Sequence, residues 1–180
     1  MKLILLFILS FNLIASDKIL DISIQMDKEE PQILLDSISQ HAIRIGSGNL
    51  KKYYIFVDPM CPYSKNFIKL ISQNKMQQIH TSYYVFLYRL PKFKSDKLIQ
   101  YIYQCSDNKS ALLDVMVKEK NTDLRQLQID NNKVKIIDEI SFIARKMNIK
   151  KRPYMIVFKE GSKYCDVSEG SAPCLEEFDF

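Results

Sequence analysis

YYIFVDPMCPYSKNFIKLI, residues 53–71, is the stretch on which the fold turns. YYIFV is apolar at successive positions, as in a central strand covered on both faces, and it stops abruptly at Asp58-Pro59. Pro62 suits the first position of a helix, where its missing N–H is not needed. Phe67, Ile68, Leu70 and Ile71 then give an apolar stripe at helical spacing, running to about Met76. Strand, turn and helix follow in that order, and Cys61 stands at the turn.

On the upstream side, residues 41–45 and 52–57 are β-type runs separated by GSGN, and the expectation is a β-hairpin. Still earlier, residues 17–40 offer a short strand and a helix with Ile33, Leu34, Leu35 and Ile38 on one stripe, an extension that leans on the main domain. Downstream, SYYVFLYRL, residues 82–90, is a second buried strand. Its distance from the first allows a helical crossover and hence a parallel βαβ unit. Residues 95–149 are helical in pattern. Ser95 caps a turn leading to Leu98, Ile99, Ile102 and Cys105, Ser110 begins a second segment, and a third carries Val134, Ile137, Ile140, Phe142 and Met147. The last strand, Tyr154–Phe158, forms an antiparallel hairpin with residues 162–167.

The chain has 180 residues, 47% of them hydrophobic, with only 4 glycines and 6 prolines, which indicates one packed mixed α/β domain. MKLILLFILSFNLIAS, residues 1–16, has the basic start, apolar run and small-residue end of a signal peptide. Asn12 and the polar residues after Ser16 cut the run short of a membrane span. The expectation is an exported, soluble chain in a compartment where disulfides persist. The net charge of +5 is spread in small groups such as Lys51-Lys52 and Lys150-Lys151-Arg152, with no basic and aromatic stripe, so nucleic acid is not an expected partner.

Chemistry concentrates in Cys61-Pro62-Tyr63-Ser64. A cysteine at a helix start faces unpaired amides and the positive end of the helix dipole, which favours thiolate, the nucleophilic form. The hydroxyl of Ser64 is placed to donate a further hydrogen bond to the sulfur. Ninety-one positions on, Arg152-Pro153 precedes the apolar run YMIVF, and a proline there belongs at a strand start or bend. Arg152 has two readings, a charge beside the Cys61 thiolate or a solvated residue of a basic turn. Asp58 is read first as a cap for the turn before Pro59, with proton transfer as the alternative. Four cysteines permit three full pairings. The short polar loop DVSEGSAP between Cys165 and Cys174 favours a bridge between those two, while Cys105 reads as a small apolar residue on a helical stripe. His41 and His80 have no companions at ligand spacing, so no metal or cofactor is expected.

FVDPMCPYS (residues 56–64), residues 88–116 and KRPYMIVFKEG (residues 151–161) resemble the thioredoxin-fold thiol-disulfide oxidoreductases, and most of all the periplasmic disulfide isomerase branch of the DsbC and DsbG type. The resemblance spans residues 52–161. It implies an α/β, thioredoxin-like fold in residues 41–180 with a helical insertion at about 95–149. It also implies periplasmic thiol-disulfide exchange on exported proteins that carry disulfides, with room for a membrane redox partner. The cysteine matching Cys61 is the nucleophile in that family, and the proline matching Pro153 is cis and frames a substrate groove, here shared by Pro62, Tyr63 and Tyr154. Two departures matter: Ser64 replaces a second motif cysteine, and Arg152 replaces a small residue. In that family the cysteine matching Cys105 is paired, yet no partner follows it here. Residues 17–40 are also too short for the family's dimerisation domain. A lone thiol suits isomerisation, which consumes no electrons. The alternatives are a thioredoxin-like binding module or chaperone without covalent exchange, and a glutathione-dependent transferase or isomerase.

Overall fold

The structure, a computed structural model, describes residues 24–170 except 28, 126, 129, 159 and 160. The signal-peptide segment 1–16 and Cys174 lie outside the described residues. Six strands form one sheet: β1 (Ile24–Asp27), β2 (Ile43–Ile45), β3 (Lys51–Val57), β4 (Thr81–Leu87), β5 (Tyr154–Phe158) and β6 (Tyr164–Glu169), in the order β1-β6-β5-β3-β4-β2. Among the described residues six α-helices and a 3-10 turn (Ser39–His41) accompany them: α1 (Glu29–Ile38), α2 (Pro62–Gln73), α3 (Lys75–His80), α4 (Asp96–Gln104), α5 (Asn108–Met116) and α6 (Asn131–Lys146). The last three make up the helical insertion between β4 and β5, as expected.

β3 and β4 are parallel and joined through α2 and α3, which is the expected βαβ unit. Their sequences, YYIFV and YYVFL, pair like with like. Tyr53 stacks on Tyr83, Tyr54 on Tyr84 and Phe56 on Phe86, with centroids 5.4, 5.2 and 5.1 Å apart. Each such pair contributes about 0.5–1.5 kcal/mol beyond its buried area. This ladder makes β3 and β4 the centre of the core, and β5 and β6 extend it as the expected antiparallel hairpin.

The expected hairpin between β2 and β3 is absent. The place beside β3 is occupied by β4, and β2 pairs antiparallel with the far edge of β4. The GSGN segment therefore crosses the start of β4 instead of turning tightly. Ser47 and Gly48 donate to the Gln78 carbonyl, and Leu50 donates to that of His80. Gly46 has φ +80, and a Cβ there would sit 2.3 Å from the Thr81 carbonyl oxygen, so glycine is required for this close crossing.

Helix faces differ from the sequence pattern in detail. On α2 the buried positions are Ser64, Phe67, Ile68 and Ile71, a regular stripe that leaves Leu70 outside, and Asn74 ends this helix and caps α3. On α1 they are Pro31, Leu35 and Ile38, with Ile33 exposed. Helix α5 starts before Ser110, because Asp107 caps it by accepting from the Ser110 N–H.

Candidate active site

The strand directions bring three loops to one end of the sheet. β3 and β4 are parallel, so Val57 and Leu87 finish side by side, while Tyr154, the first residue of antiparallel β5, lies opposite Phe56. The loops leaving β3 and β4 and the loop entering β5 meet there.

Cys61 is the N-cap of α2, with Pro62 at the first helical position. Its own N–H donates to the Asp58 carbonyl at 3.0 Å, closing the turn, and its carbonyl accepts from Lys65 as the helix begins. The amides of Tyr63 and Ser64 have no acceptor within the helix by position, which leaves the positive end of α2 at the cysteine. Across the gap, Cys61 Sγ donates to the Arg152 carbonyl oxygen at 3.7 Å, and the Arg152-Pro153 peptide bond is cis. Cys61 is only 2% exposed, yet its neighbours Met60, Pro62 and Tyr63 are all exposed.

Ser64 differs from its expected role. Its hydroxyl accepts from the Asp58 N–H at 3.3 Å and, among the described residues, makes no bond to Cys61 Sγ. Lying at the head of the buried stripe of α2, it ties the end of β3 to the helix.

Asp58 does more than cap a turn. Completely buried, its carboxylate accepts through Oδ1 from Met60 N at 2.8 Å, and through Oδ2 from Leu90 N and from Ser95 Oγ at 3.0 Å. It therefore joins the Cys61 turn to the loop after β4. Ser95 stands at the N-cap of α4 as expected, but its side chain serves Asp58 and makes no cap bond. Only the Asp-Pro pair just before the motif marked Asp58 in the sequence. Its partners Leu90 and Ser95 lie more than thirty positions away.

Arg152 departs from the second of its two readings. It is 3% exposed, so it is not solvated, and its guanidinium bonds to carbonyls instead of the thiol. Nε donates to Tyr88 O at 3.1 Å, Nη1 to Lys151 O at 3.0 Å and to Ile149 O at 3.3 Å, and Nη2 to Arg89 O at 3.3 Å. The guanidinium lies 3.9 Å from the centroid of the Tyr88 ring. Burial pushes its pKa down from the usual arginine range, opposed by Tyr88 and by the charges of Asp58 and Cys61. Arg152 is thus a clamp between the loops flanking Cys61, its guanidinium within electrostatic reach of the cysteine and its backbone carbonyl accepting from the sulfur.

Of the residues expected to line a groove, Pro62 and Tyr63 reach the surface, whereas Pro153 is buried and Tyr154 sits in the core at 5% exposure. Burial and the nearby Glu169 raise the Tyr154 phenol to about 12. Cys105 is a half-buried free thiol at the C-cap of α4. That end is ten residues beyond the Ser95 contact with Asp58, about 15 Å along the helix, so Cys105 is not beside Cys61. Cys165 is buried in β6, and its expected bridge to Cys174 falls outside the described residues.

No protein-family model matches the chain, and no curated protein matches it. Solved structures do. A disulfide interchange protein from Neisseria gonorrhoeae is 19% identical, with 76% of this chain and 92% of that one covered, at a TM-score of 0.53. The fold is thioredoxin-like. Proteus mirabilis ScsC in a compact conformation shares it at 19% identity, covering 82% of this chain and 74% of that one, with a TM-score of 0.57. Helicobacter pylori DsbG does so at 17% identity over 72% of this chain and 61% of that one, with a TM-score of 0.56. In this thioredoxin-like chain the helix that opens at Cys61 is α2, after the central strand β3.

Proposed function

We propose that the chain is an exported thiol-disulfide exchange protein in which Cys61 acts as a lone nucleophile on proteins carrying disulfides. The observation that carries this reading is the placement of Cys61 Sγ between the positive end of α2 and the carbonyl before the cis peptide bond, with Ser64 in place of a second thiol. The thioredoxin-like fold and the signal-like segment 1–16 support it.

The chemistry balances without an external electron source. Cys61 thiolate attacks one sulfur of a substrate disulfide, a new S–S bond forms to Cys61, and the other substrate sulfur leaves as a thiolate that takes up a proton from water. A substrate thiolate then attacks the mixed disulfide, and Cys61 departs with the electron pair. One disulfide is broken and one made, which is isomerisation. Ser64 cannot resolve the intermediate, so net oxidation or reduction requires a thiol or disulfide from a separate redox partner. The surface beside Cys61 is apolar and exposed at Met60, Pro62 and Tyr63, suited to an extended polypeptide.

Refolding of a scrambled disulfide protein tests the proposal. Wild-type chain accelerates recovery of the native pairing, and Cys61→Ala does not; no acceleration by the wild type would sink the reading. The low exposure of Cys61 is the one observation favouring a binding groove without covalent exchange, and Cys61→Ala with full activity would establish that reading instead.

A further inference from the structure

We infer that the Cys61 groove selects extended polypeptides carrying acidic residues on both sides of the disulfide, a substrate class for the exchange reaction on which this inference rests. Two of the three loops at the Cys61 end of the sheet, residues 88–95 and 148–153, hold six Lys and Arg and no acid. That excess of six exceeds the net +5 of the whole chain, so the remainder of the molecule is close to neutral. The positive charge scattered along the sequence is gathered by the fold onto the rim of one site.

Not all of it is available. Arg152 is buried against carbonyls, Arg89 pairs with Asp96 at 3.3 Å, and Lys151 pairs with Glu169 at 3.0 Å. Lys92, Lys94 and Lys150 are exposed and have no carboxylate partner among the described residues. Lys92 and Lys94 stand on the loop after β4, and Lys150 on the loop before Pro153. Cys61 lies between these loops, held to one through Asp58 and to the other through the Arg152 carbonyl. Beside it are the exposed apolar side chains of Met60 and Tyr63. A bound strand therefore meets an apolar lip at its cysteine and positive charge on either flank. Charges so placed steer encounter more than they add affinity, so the preference belongs mainly to the association rate.

The experiment uses two synthetic peptides of equal length, each with one cysteine as a mixed disulfide to thionitrobenzoate, flanked on both sides by glutamates in one and lysines in the other. A neutral third peptide serves as reference. Attack by Cys61 thiolate joins Cys61 to the peptide sulfur, breaks the peptide's S–S bond and releases thionitrobenzoate, which is read by absorbance. At 0.1 M salt, where screening extends over about 10 Å, the acidic peptide reacts about tenfold faster than the basic one. At 1 M salt the two rates converge. Lys92→Glu, Lys94→Glu and Lys150→Glu combined invert the order of the peptides, a ratio internal to each preparation. Equal rates for the two peptides at 0.1 M salt, or a preference for the basic one, overturn the inference. Failure of all three peptides to react with the wild-type chain sinks the exchange reading itself, a separately recognisable result.

Discussion

Two helix ends in this molecule carry a half-buried or buried cysteine, and they are opposite in every respect that governs a thiol. Cys61 caps the start of α2, the positive end of its helix, and Cys105 caps the finish of α4, the negative end of its own. Around Cys61 the chain has invested two buried charged side chains, Asp58 and Arg152, which tie all three surrounding loops together. Beside Cys105 the one side chain marked by its presence is Tyr101, whose phenol it holds above the ordinary range, first as hydrogen-bond partner and then through charge. The contrast teaches that the fold braces one thiol at a helix start with buried charged side chains and does nothing comparable for the other.

The largest expected effect is on exchange itself. Cys61→Ala abolishes disulfide exchange, a loss of at least about a hundredfold in a peptide-disulfide assay, because among the described residues no other thiol stands at a helix start. Cys105→Ala leaves the rate within about twofold, since the dipole and the cis peptide do not face it. Equal losses in the two variants would break the comparison.

The bracing is tested next. Asp58→Ala leaves the Met60 and Leu90 amides and the Ser95 hydroxyl without their acceptor inside the protein, a penalty of about 3 kcal/mol. Chemical denaturation reads that as a lowered midpoint, and the exchange rate falls with it as the Cys61 turn loosens. At Asp107, the fully exposed cap of α5, the same change moves the midpoint far less and leaves exchange unaltered. A midpoint unchanged in Asp58→Ala would show that the carboxylate is not a brace.

Much of this site was legible because local rules are enough to find it. An apolar run ending at Asp-Pro, a proline just inside a helix and a cysteine between them place Cys61 without knowledge of the rest of the chain. The same holds for the βαβ unit and for the last hairpin. The failures involve partners distant in sequence. β2 and β3 do run in opposite directions, as their turn-like linker indicates, but nothing within residues 41–57 reveals that β4 takes the place beside β3. Arg152 sits in a run of three basic residues that reads as solvated. Its burial depends on carbonyls at residues 88 and 89, on a loop that only the completed sheet brings near. Ser64 was placed correctly at the helix start, yet its proton partner depends on which face of α2 turns inward, and that is decided by Phe67, Ile68 and Ile71 packing on the sheet.

Arg152 gives a moderate effect. Arg152→Met keeps most of the buried volume but gives up the bonds to four carbonyls and the contact with the Tyr88 ring, about 2 kcal/mol in total. For a domain of this size that lowers the thermal midpoint by about 4–8 °C. Because the guanidinium holds the loop whose carbonyl accepts from Cys61, the exchange rate falls as well, whereas alkylation of Cys105 is unaffected. Arg152→Lys restores the charge but not the fork of donors, so it recovers little of either loss. A full rescue by lysine would mean that charge near Cys61, and not the clamp, is what Arg152 supplies.

The smallest effect sharpens the other side of the contrast. At Cys105, the C-cap of α4, the neighbouring donor is the Tyr101 phenol, whose pKa is raised first by its hydrogen bond with Cys105 and then by charge. Tyr101→Phe removes that donor and keeps the ring. Alkylation of Cys105, followed by mass spectrometry on the Cys61→Ala background, then slows by about threefold, the size of one modest hydrogen bond. If it accelerates instead, the phenol was shielding the thiol, and the difference between the two cysteines would owe more to access than to the direction of their helices.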